Sequence, residues 1–237
     1  MRKIFLLVFT ATIAINVFAQ NNSASDAGWQ IETGWQKLTR SEFNTYLGTI
    51  SDTLDLASPL SASPGEFNVG ISGLVAGKHV GFEAGASYGR SFGKTLQDNG
   101  HTAAGRMNLT TFNLRLGPNF ILNKNFYIGT QLMVSSTDIQ LDVESINSAT
   151  KSRFESTDES NPFRAINFMV RFQTAFCIPT SKKINNTFKI IPFYDLSISK
   201  HNFYKASDNV LIGYSGKHSS SVNGYGFRLA YFFAKKS

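Results

Sequence analysis

Charge is scarce in this chain of 237 residues: Asp, Glu, Lys and Arg together make up 16% of it, against roughly 25% in an average soluble domain. Few charges beside 13% aromatics, 21 of them Phe, exclude an intrinsically disordered protein, which needs high net charge and few aromatic side chains. Cysteine is nearly absent. Cys177 stands alone, so no disulfide framework holds the fold. Long hydrophobic runs are missing too: beyond the N-terminus none reaches the ~18 residues of a membrane-spanning helix, which excludes a helical membrane bundle. Mean hydropathy is nevertheless only −0.12, so Ser, Asn, Thr and Gly must keep the chain polar without charge. What remains is an exported, strand-rich protein, either a soluble sandwich or a membrane barrel.

The first 19 residues read as an export address. Arg2 and Lys3 form a positive start, Ile4 to Val17 supply an apolar stretch broken only by Thr10, Thr12 and Asn16, and Val17-Phe18-Ala19 sets cleavage between Ala19 and Gln20. The stretch is short for a spanning anchor, and no basic flank follows to stop transfer. No cysteine follows it either, which excludes a lipoprotein anchor. Cleavage removes Arg2 and Lys3 from a net charge of +7. The remaining excess is scattered and makes no nucleic-acid patch.

From Gly28 onward, apolar residues recur at every second position, the period of a strand with two unlike faces. In Phe163 to Ile178 one parity carries Ile166, Phe168, Val170, Phe172, Phe176 and Ile178, while the other carries Asn167, Arg171, Gln173 and Cys177. Val80, Phe82, Ala84, Ala86 and Tyr88 alternate in the same way with Gly81, Glu83, Gly85, Ser87 and Gly89. This reading predicts eight strands, at 28–38, 66–76, 79–90, 106–117, 125–136, 163–178, 187–200 and 222–233. The fourth is irregular, with Met107 and Leu109 on the opposite parity to Phe112, Leu114 and Leu116. The seventh contains Pro192, which cannot donate to a ladder and is expected at a bulge.

Long links at 39–65, 91–105, 137–162 and 201–221 alternate without exception with short ones at 77–78, 118–124 and 179–186. Segregated loop lengths, an even strand number and both ends on the short-loop side are features of an outer-membrane barrel. The expected fold is all-β: an eight-stranded antiparallel up-and-down transmembrane β-barrel over 28–233, after a periplasmic segment at 20–27 and before a tail at 234–237. The second parity is rich in small residues, which fit a lumen just wide enough for side chains to fill. Trp29, Trp35, Tyr88, Phe126, Phe188, Tyr225 and Phe233 fall near strand ends, where interfacial aromatic girdles sit.

The last strand, Gly224-Tyr225-Gly226-Phe227-Arg228-Leu229-Ala230-Tyr231-Phe232-Phe233, places Phe227, Leu229, Tyr231 and Phe233 on alternate positions. It resembles the C-terminal signal by which the barrel-assembly machinery recognises its clients, although Ala234-Lys235-Lys236-Ser237 follow here. With the Val-Phe-Ala-Gln cleavage region, the chain resembles the small outer-membrane β-barrel or porin-family proteins of Bacteroidetes type. That resemblance implies a fold and an outer-membrane location more than an activity. Asp52-Thr53-Leu54 also resembles the Asp-Thr-aliphatic pattern of O-glycosylation in that group.

The inward parity carries Glu32, Glu83, Arg115, Arg171, Lys189, Asp195 and Arg228. Charges in so narrow a lumen need partners, because an isolated buried ion costs several kcal/mol. We expect a polar network that plugs the barrel; the alternative is a narrow ion or small-solute path whose selectivity these charges set. No metal or cofactor is expected, since His79, His101, His201 and His218 show no ligand spacing. His218-Ser219-Ser220 resembles the His-x-Ser element of lipid A deacylase barrels, but a loop position argues against catalysis. The expected role is non-enzymatic, structural or adhesive, with membrane lipid around the wall and an extracellular ligand at loops 39–65, 137–162 and 201–221. Two further readings stay open here: the lumen channel, and a soluble secreted sandwich that binds a ligand.

Overall fold

The computed structural model describes residues 26–53, 65–91, 103–145, 153–155, 165–180, 186–202 and 219–234. The expected signal peptide and its Ala19–Gln20 cleavage site lie outside the described residues, as do most of the 20–27 segment and 235–237. Eleven strands and one helix follow in chain order. They are β1 (Asp26–Thr39), α1 (Ser41–Thr53), β2 (Gly65–Ala76), β3 (Val80–Ser91), β4 (Ala103–Asn123), β5 (Phe126–Ser145), β6 (Arg153–Glu155), β7 (Ala165–Pro179), β8 (Thr187–Ser197), β9 (Lys200–Asn202), β10 (Ser219–Ser221) and β11 (Asn223–Ala234).

Eight of these strands pair antiparallel with both neighbours, in the ring β1-β2-β3-β4-β5-β7-β8-β11. The ring closes where β11 meets β1, from Gly28 opposite Ala234 to Thr39 opposite Asn223. The chain is a closed eight-stranded antiparallel β-barrel. Closure removes the free sheet edges that an open sheet must protect, and it excludes the two-sheet sandwich. Asp26 lies opposite Ala76, beside the short turn 77–79, and Ala234 is on the same rim. Both described ends of the barrel wall thus share a rim with the short turns.

Alternation sorts each strand as the period-2 pattern requires. Ile31 (60% exposed), Phe67 (66%) and Phe168 (53%) point outward, while Gln30, Glu32, Glu66 and Asn167 between them are buried. Trp29 and Phe233 face each other across β1 and β11 toward the short-turn rim. Trp35 and Tyr225 make an edge contact at 6.0 Å toward the other.

Four sequence expectations need correction. The link at 118–124 is mostly strand, because β4 continues to Asn123 and turns at Lys124-Asn125. Pro192 produces no bulge: Gln173 pairs with Phe193 and Phe176 with Ile190, so the register is unchanged across it. The proline removes one donor without shifting the strand. Residues 138–145 continue β5 and pair with 103–110 of β4, and among the described residues of the following link Arg153–Glu155 joins them. The seventh strand ends at Ser197, and Lys200–Asn202 pairs instead with Ser219–Ser221.

The link at 39–65 contains a helix. Phe43, Tyr46 and Leu47 stand at i, i+3 and i+4, one face of a helix, and all three are buried. Asp52 and Thr53 end this helix, and Leu54 lies outside the described residues.

Candidate functional site

Building the lumen from the wall inward gives a polar layer between two apolar ones. Along β5 the inward residues run Tyr127, Gly129, Gln131, Met133 from the short-turn end; along β7 they run Met169, Arg171, Gln173, Ala175 from the other. Leu38, Met133, Met169 and Val222 form a buried cluster toward the long-loop mouth. Tyr127, Ala175, Ile191 and Ala230 form a second toward the short turns. Gln131, Arg171, Gln173 and Arg228 lie between the clusters on their own strands, and all are buried. The inward Leu109, which looked irregular in sequence, is also buried, so the parity of β4 is continuous and its inward side turns apolar near the loop end.

The charged layer has two parts. In the first, Arg115 Nη2 donates to Glu32 Oε1 at 2.5 Å and Arg228 Nη1 to Glu32 Oε2 at 2.6 Å. The same Arg228 atom reaches Glu83 Oε1 at 3.2 Å, and Arg115 approaches it at 3.5 Å. Two guanidinium groups therefore clasp two carboxylates. Neutral amides complete the shell: Gln30, Asn119 and Gln173 donate to Glu83 at 3.2, 3.3 and 3.3 Å, and Arg228 Nη2 donates to Gln173 Oε1 at 2.5 Å.

The second part is the pair Arg171–Asp195. These are cross-strand partners on β7 and β8. Arg171 Nε and Nη2 donate to Asp195 Oδ1 and Oδ2 at 2.7 and 2.8 Å, a bidentate fork. The guanidinium also sits 3.7 Å from the centre of the Phe193 ring. Arg171 is thus paired with its own acid, while Arg115 and Arg228 share Glu32 and Glu83. Lys189 stands apart toward the short-turn mouth, donating to Gln30 Oε1 at 3.0 Å.

Two glycines make room for this layer. A Cβ on Gly70 would lie 2.6 Å from both the Ala86 carbonyl oxygen and Glu32 Oε1. One on Gly85 would lie 2.4 Å from Ser72 Cβ and 2.9 Å from Arg115 Nη2. The acid and its arginine thus occupy space that only a missing side chain leaves.

Sequence reasoning missed an upper tier. Glu66 accepts from Thr111 Oγ1 at 2.6 Å and from Gln36 Nε2 at 3.2 Å, and its charge acts on Arg40. Arg40 is fully buried and donates to Thr137 Oγ1 at 3.3 Å, on β5, four strands round the ring from β1. Arg40 therefore bridges opposite walls beneath α1. Ser220 Oγ on β10 donates to Glu42 Oε2 at 3.0 Å, tying the helix to the last long link. Its neighbour His218 lies outside the described residues, as does His101, and His79 is exposed at the short turn 77–79. Among the described residues, no group of three or more His, Cys, Asp or Glu is placed to hold a metal ion.

Phe227, Leu229, Tyr231 and Phe233 all lie on the outward parity of β11. Of the long links expected to hold a ligand, 137–162 contributes the end of β5 and β6, while 201–221 contributes most of the β9–β10 ribbon.

No protein family matches the chain, and no curated protein does. Several solved structures resemble it in strand course. Ail, the attachment invasion locus protein of Yersinia pestis, crystallised with the heparin analogue sucrose octasulfate, has TM-score 0.45 and 10% identity, covering 88% of this chain and 99% of its own. Neisserial surface protein A gives TM-score 0.43 and 11% identity over 90% of this chain and 100% of its own. Ail in a phospholipid bilayer nanodisc gives 0.40 and 13% over 88% and 100%. The eight-strand closure rests on the registers above, not on these likenesses.

Proposed function

We propose that this chain is a non-enzymatic outer-membrane barrel with a plugged lumen, acting through the structure at its long-loop mouth. The observation that carries this reading is the stacking of layers along the axis. A charge-paired tier between two apolar clusters, with Arg40 and α1 above it, leaves the lumen filled by side chains. Water and ions would have to displace paired charges to pass, and breaking a buried pair is costly. An apolar outer wall supports lipid as its surroundings, because soluble proteins rarely expose so continuous an apolar band.

The functional surface then lies beyond the wall. Among the described residues, β3 pairs with β4 as far as Leu109 and β7 with β5 as far as Thr137, while β4 and β5 remain paired to Ala103 and Ser145. Within the described residues this hairpin extends past its barrel neighbours, with β6 along part of the β5 edge, and the rest of such a ladder offers backbone groups for strand addition by a partner. Reconstituted protein is expected to give no discrete conductance steps in a planar bilayer; reproducible openings would favour the narrow channel instead. The export address belongs to the same reading. N-terminal sequencing of protein from the outer-membrane fraction should start at Gln20, and an intact Met1 there would refute it.

A further inference from the structure

A cavity of about 270 Å³ opens at the short-turn mouth, the end opposite the loops. Leu74, Ile121 and Phe232 supply apolar walls, and Asn123, Asn186 and Thr187 line its polar side. Lys189 and Tyr127 line it too, and only 3% and 6% of their surfaces are exposed. The Tyr127 hydroxyl is buried and has no hydrogen-bond partner among the described residues. Lys189 Nζ bonds the neutral Gln30 and lies 4.6 Å from the Phe232 ring centre. No carboxylate of the described residues forms a salt bridge with it.

The charge balance of the lumen points to the same place. Arg115 and Arg228 answer Glu32 and Glu83, Arg171 answers Asp195, and Arg40 is set against Glu66. Among the described residues, Lys189 is the buried lumen cation left without a salt bridge. A buried ammonium held by a neutral amide instead of a carboxylate, and a buried phenol without an acceptor, are both unfavourable. One acceptor with two oxygens and a single negative charge would satisfy both.

We propose that this cavity binds a small organic carboxylate with an apolar body, its carboxylate on Lys189 and Tyr127 and its body against Leu74, Ile121 and Phe232. The volume equals that of about nine waters at ~30 Å³ each, enough for a short aliphatic or single-ring acid. Lys189 is the buried cation of the lining, whereas Lys124 is exposed at the short turn, so inside the cavity a monoanion is answered and a phosphate's second charge is not. The site is independent of the loop-face function, lying at the other end of the barrel.

Cys177 lines the same cavity, is half-buried, and is the sole cysteine, so it serves as a built-in reporter. Barrel refolded in a non-ionic detergent would be alkylated with N-ethylmaleimide in the presence of hexanoate or benzoate. Both acids should slow alkylation saturably, while hexanol and inorganic phosphate should not. Lys189→Gln should weaken protection about tenfold or more, and Tyr127→Phe, which removes only the hydroxyl, about threefold. Heat-modifiable migration checks that each variant folds. The comparison of hexanoate with hexanol needs no variant, so it decides the matter even if Lys189→Gln fails to fold. Equal protection by hexanol would reduce the cavity to an apolar sink and overturn the proposal. Equal protection by phosphate would overturn the carboxylate class, and no protection by either acid would overturn the site itself.

Discussion

Arg171 and Asp195 sit directly opposite each other on β7 and β8, so the fork between them needs no long reach. Both side chains are buried, and the guanidinium lies over the Phe193 ring. Truncating one partner leaves the other charge uncompensated in a medium that cannot solvate it. Arg171→Ala should therefore destabilise the barrel by about 3–5 kcal/mol, read as a lower urea midpoint for unfolding from detergent. Replacing both residues removes the stranded charge, so the double variant should recover part of the loss. If Arg171→Ala unfolds at the wild-type midpoint while abolishing an ion current, the residue lines a path and the plugged reading fails. The seven inward charges were legible from parity alone, because a side chain's face follows from its position once the strand is found. Their pairing was not: which acid meets which arginine depends on strand stagger and on gaps such as those at Gly70 and Gly85.

At the scale of elements, all eight barrel strands were legible because each carries its own alternation. Errors gathered at the ends, where the signal changes its meaning. Leu109 looked out of phase because inward positions were assumed to be small or polar, whereas the inward side turns apolar near the long-loop mouth. Glu66 and Arg40 went unread because they fall at the limits of β2 and β1. The helix α1 did leave a trace, the spacing of Phe43, Tyr46 and Leu47, but it was lost inside a long polar link. That apolar face is what α1 buries, so it is the place to release the helix. Leu47→Asp puts a charge at a fully buried position, which costs far more than the helix can recover in isolation, since a 13-residue helix is marginal without tertiary packing. The expected outcome is a released helix on an intact barrel. Trypsin should then cleave after Arg40, which is fully buried in the native protein, while heat-modifiable migration stays unchanged. Resistance at Arg40 in this variant would mean that β1 and the bond to Thr137 hold the segment without the helix.

For the whole molecule, the question is whether lipid surrounds the wall, and depth along one strand answers it. β7 runs from Ala165 at the loop end to Pro179 at the short-turn end, with Phe172 at its middle and Phe168 nearer the loops. Both rings point outward and are about half exposed. In water an arginine at either place would be harmless, because an exposed surface position tolerates charge. In a bilayer the cost depends on depth: about 2–4 kcal/mol at the midplane, falling to about 0–1 kcal/mol near the interface. Phe172→Arg should therefore impair folding into phospholipid vesicles clearly more than Phe168→Arg does. The neighbouring inward position offers a control within the same strand. Gln173 is buried among Asn119, Glu83 and Arg228, so Gln173→Leu should lower stability in detergent and lipid alike, whereas the Phe172→Arg penalty should appear in lipid and shrink in a loose detergent micelle. Equal folding of Phe168→Arg and Phe172→Arg in vesicles would mean that the apolar band does not match a membrane core, and the wall would then need a protein partner instead of lipid.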